Sequence, residues 1–292
     1  MAQSLEFLTR QNDTLTSIRG IVHTMKTLSA INAAPYEQAA RSIEAYHHTI
    51  LQCFAAFAQR TGGVILHKEE TAEQLVVAFG SDHGLCGNYN EALAELVVNH
   101  YQPQTQQRNR LLCIGAKLND ALHDQGLHAE QVMLPPASAE GIGRLAGDIV
   151  TQIERISRGQ SLAHIGVTLI FTQRGIHGQR ETVARRLLPL EPSLLQPLKR
   201  WPSRSLPDYR MPADALLSSL VRSHLFASVF RASAEAMVTE NAARLALMQQ
   251  AEQSVDENLD QVKGELRSVR QDEITNELMD VIIGFEALKK KR

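Results

Sequence analysis

Residues 245–269 read LALMQQAEQSVDENLDQVKGELRSV. Leu245, Met248, Val255, Leu259, Val262, Leu266 and Val269 advance in steps of three and four, and Glu252 takes the one skipped place. That period is the a/d seam of a coiled coil, whose apolar stripe needs a second helix to cover it. The charged residues between, such as Glu257, Asp260, Lys263, Glu265 and Arg267, fit a solvated outer face. The helix has room to run on. No proline follows Pro212, and the only glycines beyond it are Gly264 and Gly284. Globular helices usually end after roughly 8–20 residues. One of about 75 residues would be about 110 Å long, too long to fold back into one small core. Ile274, Leu278, Val281 and Ile282 continue an apolar face after a one-place shift.

The other end of the chain supplies a partner. Leu8, Leu15, Ile18, Val22 and Met25 keep the same heptad frame, with Gln11, Ser29 and Asn32 as polar members. An antiparallel pair of first and last helices follows, in which polar seam residues lower stability but fix register. Pro35 removes a backbone bond and clashes with the preceding turn, so a kink or break is expected near Ala34-Pro35. The helical pattern resumes over 36–59 and ends at Thr61-Gly62-Gly63.

Between these ends the period changes. QLVVAFG (74–80), RLLCIG (110–115), the weak 131–134 and HIGVTLIFTQ (164–173) read as strands, and 181–190 as another. Residues 90–100, 117–125 and 139–157 read as helices. Alternating strands and helices imply βαβ units and a sheet covered on both faces, which explains the nearly continuous apolar runs. The expected fold is therefore α/β: a long antiparallel coiled coil of N- and C-terminal helices plus a central Rossmann-like α/β domain. The expected segments are 1–60, 73–190, a proline-rich connector at 189–211, and 212–292.

Composition narrows the function classes. Only 5% of residues are aromatic, which suits long helices better than a dense core. Net charge is −2, so no basic field points to nucleic acid. No run of 18 apolar residues is present, and the N-terminus lacks the basic and apolar regions of a signal peptide. The expected place is the cytoplasm or the cytoplasmic side of a membrane. Cys53, Cys86 and Cys113 are odd in number without C-x-x-C spacing, against a disulfide framework or a zinc site. His47-His48, His123, His128 and His177 share no ligand spacing with nearby acids, so no metal is expected. The basic tail 289–292 complements a helix C-terminal dipole.

The segment Ser81-Asp82-His83-Gly84-Leu85-Cys86-Gly87-Asn88-Tyr89-Asn90 follows a strand and opens a helix, where α/β sheets usually bind ligands. Its spacing is neither G-x-G-x-x-G nor G-x-x-x-x-G-K-[ST], so no nucleotide cofactor is expected. Cys86 beside His83 offers a nucleophile–base pair. A structural cysteine in a tight turn is the commoner arrangement, with Asp82 and Asn90 bonding the turn and the glycines letting it close.

These ten residues resemble the SDRGLCGxxN turn of the gamma subunit of F-type ATP synthases. TENAARLALM (239–248) is similar to that family's S-E-N/Q-A-A-R-M-x-A-M stretch, and RQDEITNEL (270–278) to its R-Q-A-x-I-T-x-E-L stretch. SIRGIVHTMKTLSA (17–30) matches the N-terminal segment more loosely. The resemblance spans essentially the whole chain. It implies a non-catalytic rotor shaft, one copy per complex, inside a ring of three alpha and three beta subunits, with a foot on the epsilon subunit and the c-ring. It further implies a peripheral position on the cytoplasmic face of a bacterial inner membrane. Ion flow through the c-ring would turn the shaft and drive ATP synthesis or hydrolysis at the beta subunits.

By motif matching, Met25, Lys26, Arg244, Arg270, Gln271, Thr275 and Glu277 would carry the rotor–stator coupling. Ser81, Asp82, Gly84, Leu85, Cys86, Gly87 and Asn90 would form the structural turn. His83 for arginine, Asn88 for glycine, and the 284–288 ending depart from the pattern and point toward a divergent paralogue such as the sodium-linked N-type ATPase gamma subunit. The coupling ion itself is set by residues of other subunits. Two other classes compete: a stand-alone coiled-coil scaffold, and an α/β enzyme using Asp82, His83 and Cys86.

Overall fold

The computed structural model describes residues 2–63, 73–101, 108–157, 165–176, 178–198, 201, 203–205 and 208–289, and side chains within 5–284. His164, His177, Pro202, Pro207 and the 290–292 tail lie outside the described residues. The chain divides into two compact units, Met1–Ser29 with Arg244–Arg292, and Ala30–Ala243. Two long helices, α1 (Ala2–Thr61) and α5 (Ala213–Lys289), contribute to both.

Unit 1 consists of helix alone. Along α5, Met248, Leu259 and Val262 are buried and Leu245, Glu252, Val255, Leu266 and Val269 half-buried, the 3–4 spacing read from the sequence. Along α1 the inward stripe is Leu5, Leu8, Asn12, Leu15, Val22, Lys26 and Ser29. This corrects the expected frame at Gln11, Ile18 and Asn32, which are exposed, while Ser29 is buried as expected. Gln11 is exposed and Ile18 is 40% exposed, while Asn12 and Lys26 turn inward. For Lys26 the reason is electrostatic: a seam that already holds Glu252 favours a cation opposite it over another apolar chain.

Unit 2 holds a five-stranded sheet, with β1 (Glu73–Phe79), β2 (Arg108–Ile114), β3 (Gln131–Met133), β4 (Ile165–Arg174) and β5 (Arg180–Leu188) in the order β3-β2-β1-β4-β5. The first four pair in parallel and β5 closes the edge antiparallel to β4. The parallel strands are joined by α2 (Tyr89–His100), α3 (Ala116–Asp124) and α4 (Ile142–Ser157). Residues 139–141, expected to start α4, form a separate 3₁₀ turn, as helix N-termini often tighten.

Strand residues alternate between two cores. Leu75, Val77, Phe79, Val167, Leu169 and Phe171 pack with Phe54, Phe57 and the apolar face of α4. Val76, Ala78, Leu111, Cys113 and Ile170 pack with Leu93, Val97, Leu118 and Leu122 from α2 and α3. Each fully buried large side chain contributes roughly 1.5–3 kcal/mol, so these two layers dominate the unit's stability.

Pro35 does not break α1, contrary to expectation. Its missing N–H would have bonded the carbonyl of Ile31, and both residues face solvent, where water takes that carbonyl. The inward face is unaffected. Tyr36, Ala40, Ile43, Ile50 and Phe54 are buried at steps of three, four or seven, and the Tyr36 hydroxyl donates to the Pro136 carbonyl at 3.1 Å. Packing on that face outweighs one lost bond. At the far end, Gly62 adopts φ 76° and the N–H of Gly63 returns to the Ala58 carbonyl at 2.9 Å, a glycine cap where the sequence places the stop.

Candidate functional site

All seven residues assigned to rotor–stator coupling fall in unit 1. Glu252, the charged member of the seam, is its electrostatic centre. The Lys26 ammonium donates to Glu252 Oε2, and His23 Nδ1 lies 3.0 Å from Oε1. These two bonds, Lys26 first, hold the Glu252 carboxyl below its ordinary pKa. Arg19 Nε donates to Asp256 Oδ1 at 2.5 Å. The pairs 26–252 and 19–256 run in opposite directions along the two helices, so the helices are antiparallel. Arg19 and Asp256 are about half exposed, so their pair acts more on register than on stability.

Sequence reasoning named Lys26 but missed Arg19, His23 and Asp256. The signal was present: a glutamate at an a/d place calls for a cation on the facing helix.

Met25 is half-buried beside Lys26, and Arg244 is buried at the start of the α5 portion. Arg270, Gln271, Thr275 and Glu277 are exposed. At 100° per residue, Arg270 and Glu277 share one line of α5 and Gln271 and Thr275 a second about 120° away. Thr275 Oγ1 donates back to the Gln271 carbonyl at 2.8 Å. Between the two polar lines lie Ile274, Leu278 and Val281, exposed by 58%, 59% and 70%. Exposed apolar stripes of this kind are common at protein–protein contacts.

The 81–90 turn in unit 2 is bonded through one buried amide. Asn90 Oδ1 accepts from the Ser81 N–H at 3.0 Å, and Asn90 Nδ2 donates to Ser81 Oγ at 2.8 Å. Ser81 Oγ in turn donates to the His83 carbonyl at 2.8 Å, and Asp82 Oδ1 accepts from the Ala116 N–H at 3.3 Å. Cys86 is buried, its sulfur 3.6 Å from Ser81 Oγ and 3.7 Å from Asn90 Nδ2. Leu85 and Gly87 take positive φ, 63° and 67°, whereas Gly84 has neither positive φ nor any atom within 4 Å of a would-be Cβ.

The glycines that space demands are two the sequence reading passed over. A Cβ on Gly80 would lie 2.3 Å from Leu118 Cβ, and one on Gly115 would lie 2.5 Å from the Ser81 carbonyl oxygen. The ends of β1 and β2 meet backbone to backbone there, a long-range contact with no local signature. The turn therefore ties β1 to α2 and α3.

Replacing Asn90 with alanine leaves the buried Ser81 N–H without its acceptor. The expected loss is about 2–3 kcal/mol, read as a lower urea midpoint with unchanged slope. An unchanged midpoint would show that the amide does not hold the turn.

Among the described residues no group of His, Cys, Asp and Glu is arranged to hold a metal, and no helix is long and apolar enough to cross a membrane. A family model described as ATP synthase matches residues 4–288. The chain belongs to the ATP synthase gamma-chain family. Curated members called ATP synthase gamma chain include one from Polynucleobacter necessarius, 25% identical over 280 residues, covering 92% of this chain and 94% of that one. Another, from Pelotomaculum thermopropionicum, is 24% identical over 292 residues, covering 98% and 99%. In fold, this gamma-family chain is similar to a chain of the Euglena gracilis mitochondrial ATP synthase solved as OSCP, F1 and c-ring in rotational state 3. There the TM-score is 0.66 at 13% identity, covering 99% of this chain and 95% of that one. A rotor chain of the same enzyme in rotational state 1 gives 0.63 at 12% identity, covering 94% and 100%.

Proposed function

We propose that this gamma-family chain is the central rotor shaft of a rotary F-type ATP synthase, coupling ion flow through a c-ring to ATP synthesis or hydrolysis at beta subunits. The observation that carries the reading is the antiparallel helix pair, cross-braced at Lys26–Glu252 and Arg19–Asp256, whose α5 exposes an apolar stripe flanked by two polar lines. A shaft must carry torque between its ends, and two helices braced against sliding resist twist better than one. It must also present different faces to surrounding sites. A ring of three alpha–beta pairs around a two-helix rod meets a different face at each pair. Such differential contact is what biases a binding site between states of unequal affinity.

Arg270, Gln271, Thr275 and Glu277 are contacts to beta, and Met25, Lys26 and Arg244 are further contacts roughly 25–40 Å away along the shaft. Exposed polar pairs are individually worth under about 1 kcal/mol. Such bonds break and re-form at each step without trapping the rotor. The foot engages the epsilon subunit and the c-ring, which places the chain peripherally, on the cytoplasmic face of a bacterial membrane. Catalysis resides in the beta subunits, and this chain holds no catalytic residue.

Co-expression with the host's alpha, beta and epsilon subunits tests the assignment. One copy per three alpha–beta pairs is expected, with ATP hydrolysis that depends on it. Alanine at Arg270, Gln271, Thr275 and Glu277 together should preserve that stoichiometry and lower turnover roughly tenfold, about 1.4 kcal/mol of lost transition-state coupling. A chain that self-associates and ignores those subunits would sink the rotor reading in favour of a scaffold.

A further inference from the structure

Unit 2 contains a cavity of about 290 Å³ between the outer end of the sheet, α1 and α5, unrelated to the 81–90 turn. Four basic side chains line it from three elements: His47 from α1, Arg185 from β5, and His224 and Arg231 from α5. Leu51, Leu169, Phe171, Leu187 and Leu194 complete its walls, and Ser228 adds a hydroxyl. Arg186 also borders it, but strand alternation aims its side chain to the opposite face of β5.

The two permanent cations of this cavity, Arg185 and Arg231, are only loosely paired. Arg231 reaches its nearest carboxylate, Glu44, only at 3.7 Å. Arg185 donates to the neutral Gln173 amide at 2.8 Å and lies over the Phe171 ring, 5.9 Å from its centre. Burial and the proximity of Arg231 push the Arg185 guanidinium down, with Glu235 and Glu181 offsetting in part. His47 Nε2 and His224 Nδ1 are 3.2 Å apart, the rings stacked at 5.1 Å, and Phe54 meets His224 edge-on. Burial, then Arg231 and Arg185, holds His47 below its ordinary value, and only Glu44 acts against them. Burial and His47 bring His224 to about 4. Glu191 is the single acidic residue on the wall.

The Arg185 and Arg231 guanidiniums repel each other, and the repulsion grows as water is excluded. Guanidinium groups present paired N–H donors matched to phosphate and carboxylate oxygens. We propose that this cavity is a binding site for a small tetrahedral oxyanion, inorganic phosphate or sulfate, held between Arg185 and Arg231 with His47 and Ser228 as further donors. The anion would neutralise the repulsion and clamp β5 to the two long helices. The site is independent of the rotor assignment.

The test is isothermal titration of the purified full chain with inorganic phosphate at constant ionic strength set by chloride. Saturable one-site binding is expected, with a dissociation constant of about a millimolar or tighter. Arg185→Gln and Arg231→Gln should each weaken it about tenfold or more, while Arg267→Gln, on the outer face of the helix pair, should leave it unchanged. Sulfate, which does not titrate in this range, should bind severalfold more tightly at pH 6 than at pH 8, because the bound anion favours protonated His47. ATP in place of phosphate separates a free ion from a nucleotide's phosphates. A cavity of this size predicts that ATP does not displace phosphate, and displacement would overturn the free-ion assignment. No saturable binding, or equal binding by both arginine variants, overturns the site. Sulfate binding that is flat between pH 8 and pH 6 overturns the role of His47.

Discussion

Gly115→Ala is expected to be among the most damaging single-methyl changes in the chain. Gly115 links β2 to α3 at φ 105°, outside the regions an L-residue adopts without strain. Its would-be Cβ falls 2.5 Å from the Ser81 carbonyl oxygen and 2.7 Å from its carbon, and these are main-chain atoms that cannot swing aside. That same carbonyl accepts the Lys117 N–H at 3.0 Å, so displacing it also unseats the first turn of α3. Strain and displacement together should cost on the order of 4 kcal/mol, against a total of about 5–15 for a typical domain. Urea unfolding followed by far-UV circular dichroism reads the effect. Gly147→Ala is the control. It lies in α4 with nothing within 4 Å of the added carbon, and should be neutral or stabilising by up to about 1 kcal/mol. A Gly115 variant as stable as the wild type would mean the β1 and β2 ends do not meet as described.

The second large effect is a loss of stability in mild acid that belongs to His224. Its imidazole is buried against His47 and Phe54, and burial followed by His47 lowers its pKa from the ordinary 6.5 to about 4. The unfolded chain therefore takes up the proton first. Stability from this residue is complete above about pH 6.5 and falls as the pH drops toward 4, by on the order of 3 kcal/mol over that window. Below it the curve levels off. His224→Gln keeps a hydrogen-bonding side chain near His47 but does not titrate. The wild-type minus variant stability difference should therefore fall by on the order of 3 kcal/mol between pH 6.5 and 4, measured by urea midpoints in steps of half a pH unit. A difference that does not change with pH would place His224 in water rather than in the core.

Much of the fold was legible because it rests on local periodicity. The 3–4 spacing from Met248 to Val269 is the buried stripe of α5, and the apolar runs at 74–79 and 165–173 are strands covered on both faces. Gly62-Gly63 ends α1 where a left-handed residue is needed. The errors came where a distant part of the chain decided. Pro35 reads as a helix breaker on its own, yet Tyr36 and Ala40 are anchored from outside the helix, and the lost bond faces water. Met25 and Ile18 fit a heptad as well as Lys26 and Arg19 do, until Glu252 and Asp256 are known to face Lys26 and Arg19.

The residues proposed for coupling show the same division. RQDEITNEL marks Arg270, Gln271, Thr275 and Glu277 only through its resemblance to a family stretch, and only the helix geometry shows an exposed apolar stripe between their two lines. The four basic residues of the cavity lie between 47 and 231 in the sequence and share no motif. Hydrophobic period and glycine chemistry act over a few residues, so the chain by itself determined its helices, its strands and their alternation. Charge pairing, backbone contact and enclosure from water depend on atoms more than 30 residues apart in the chain. Which cation faces Glu252, which glycines must stay bare and where positive charge converges were decided only when the tertiary structure brought those atoms together.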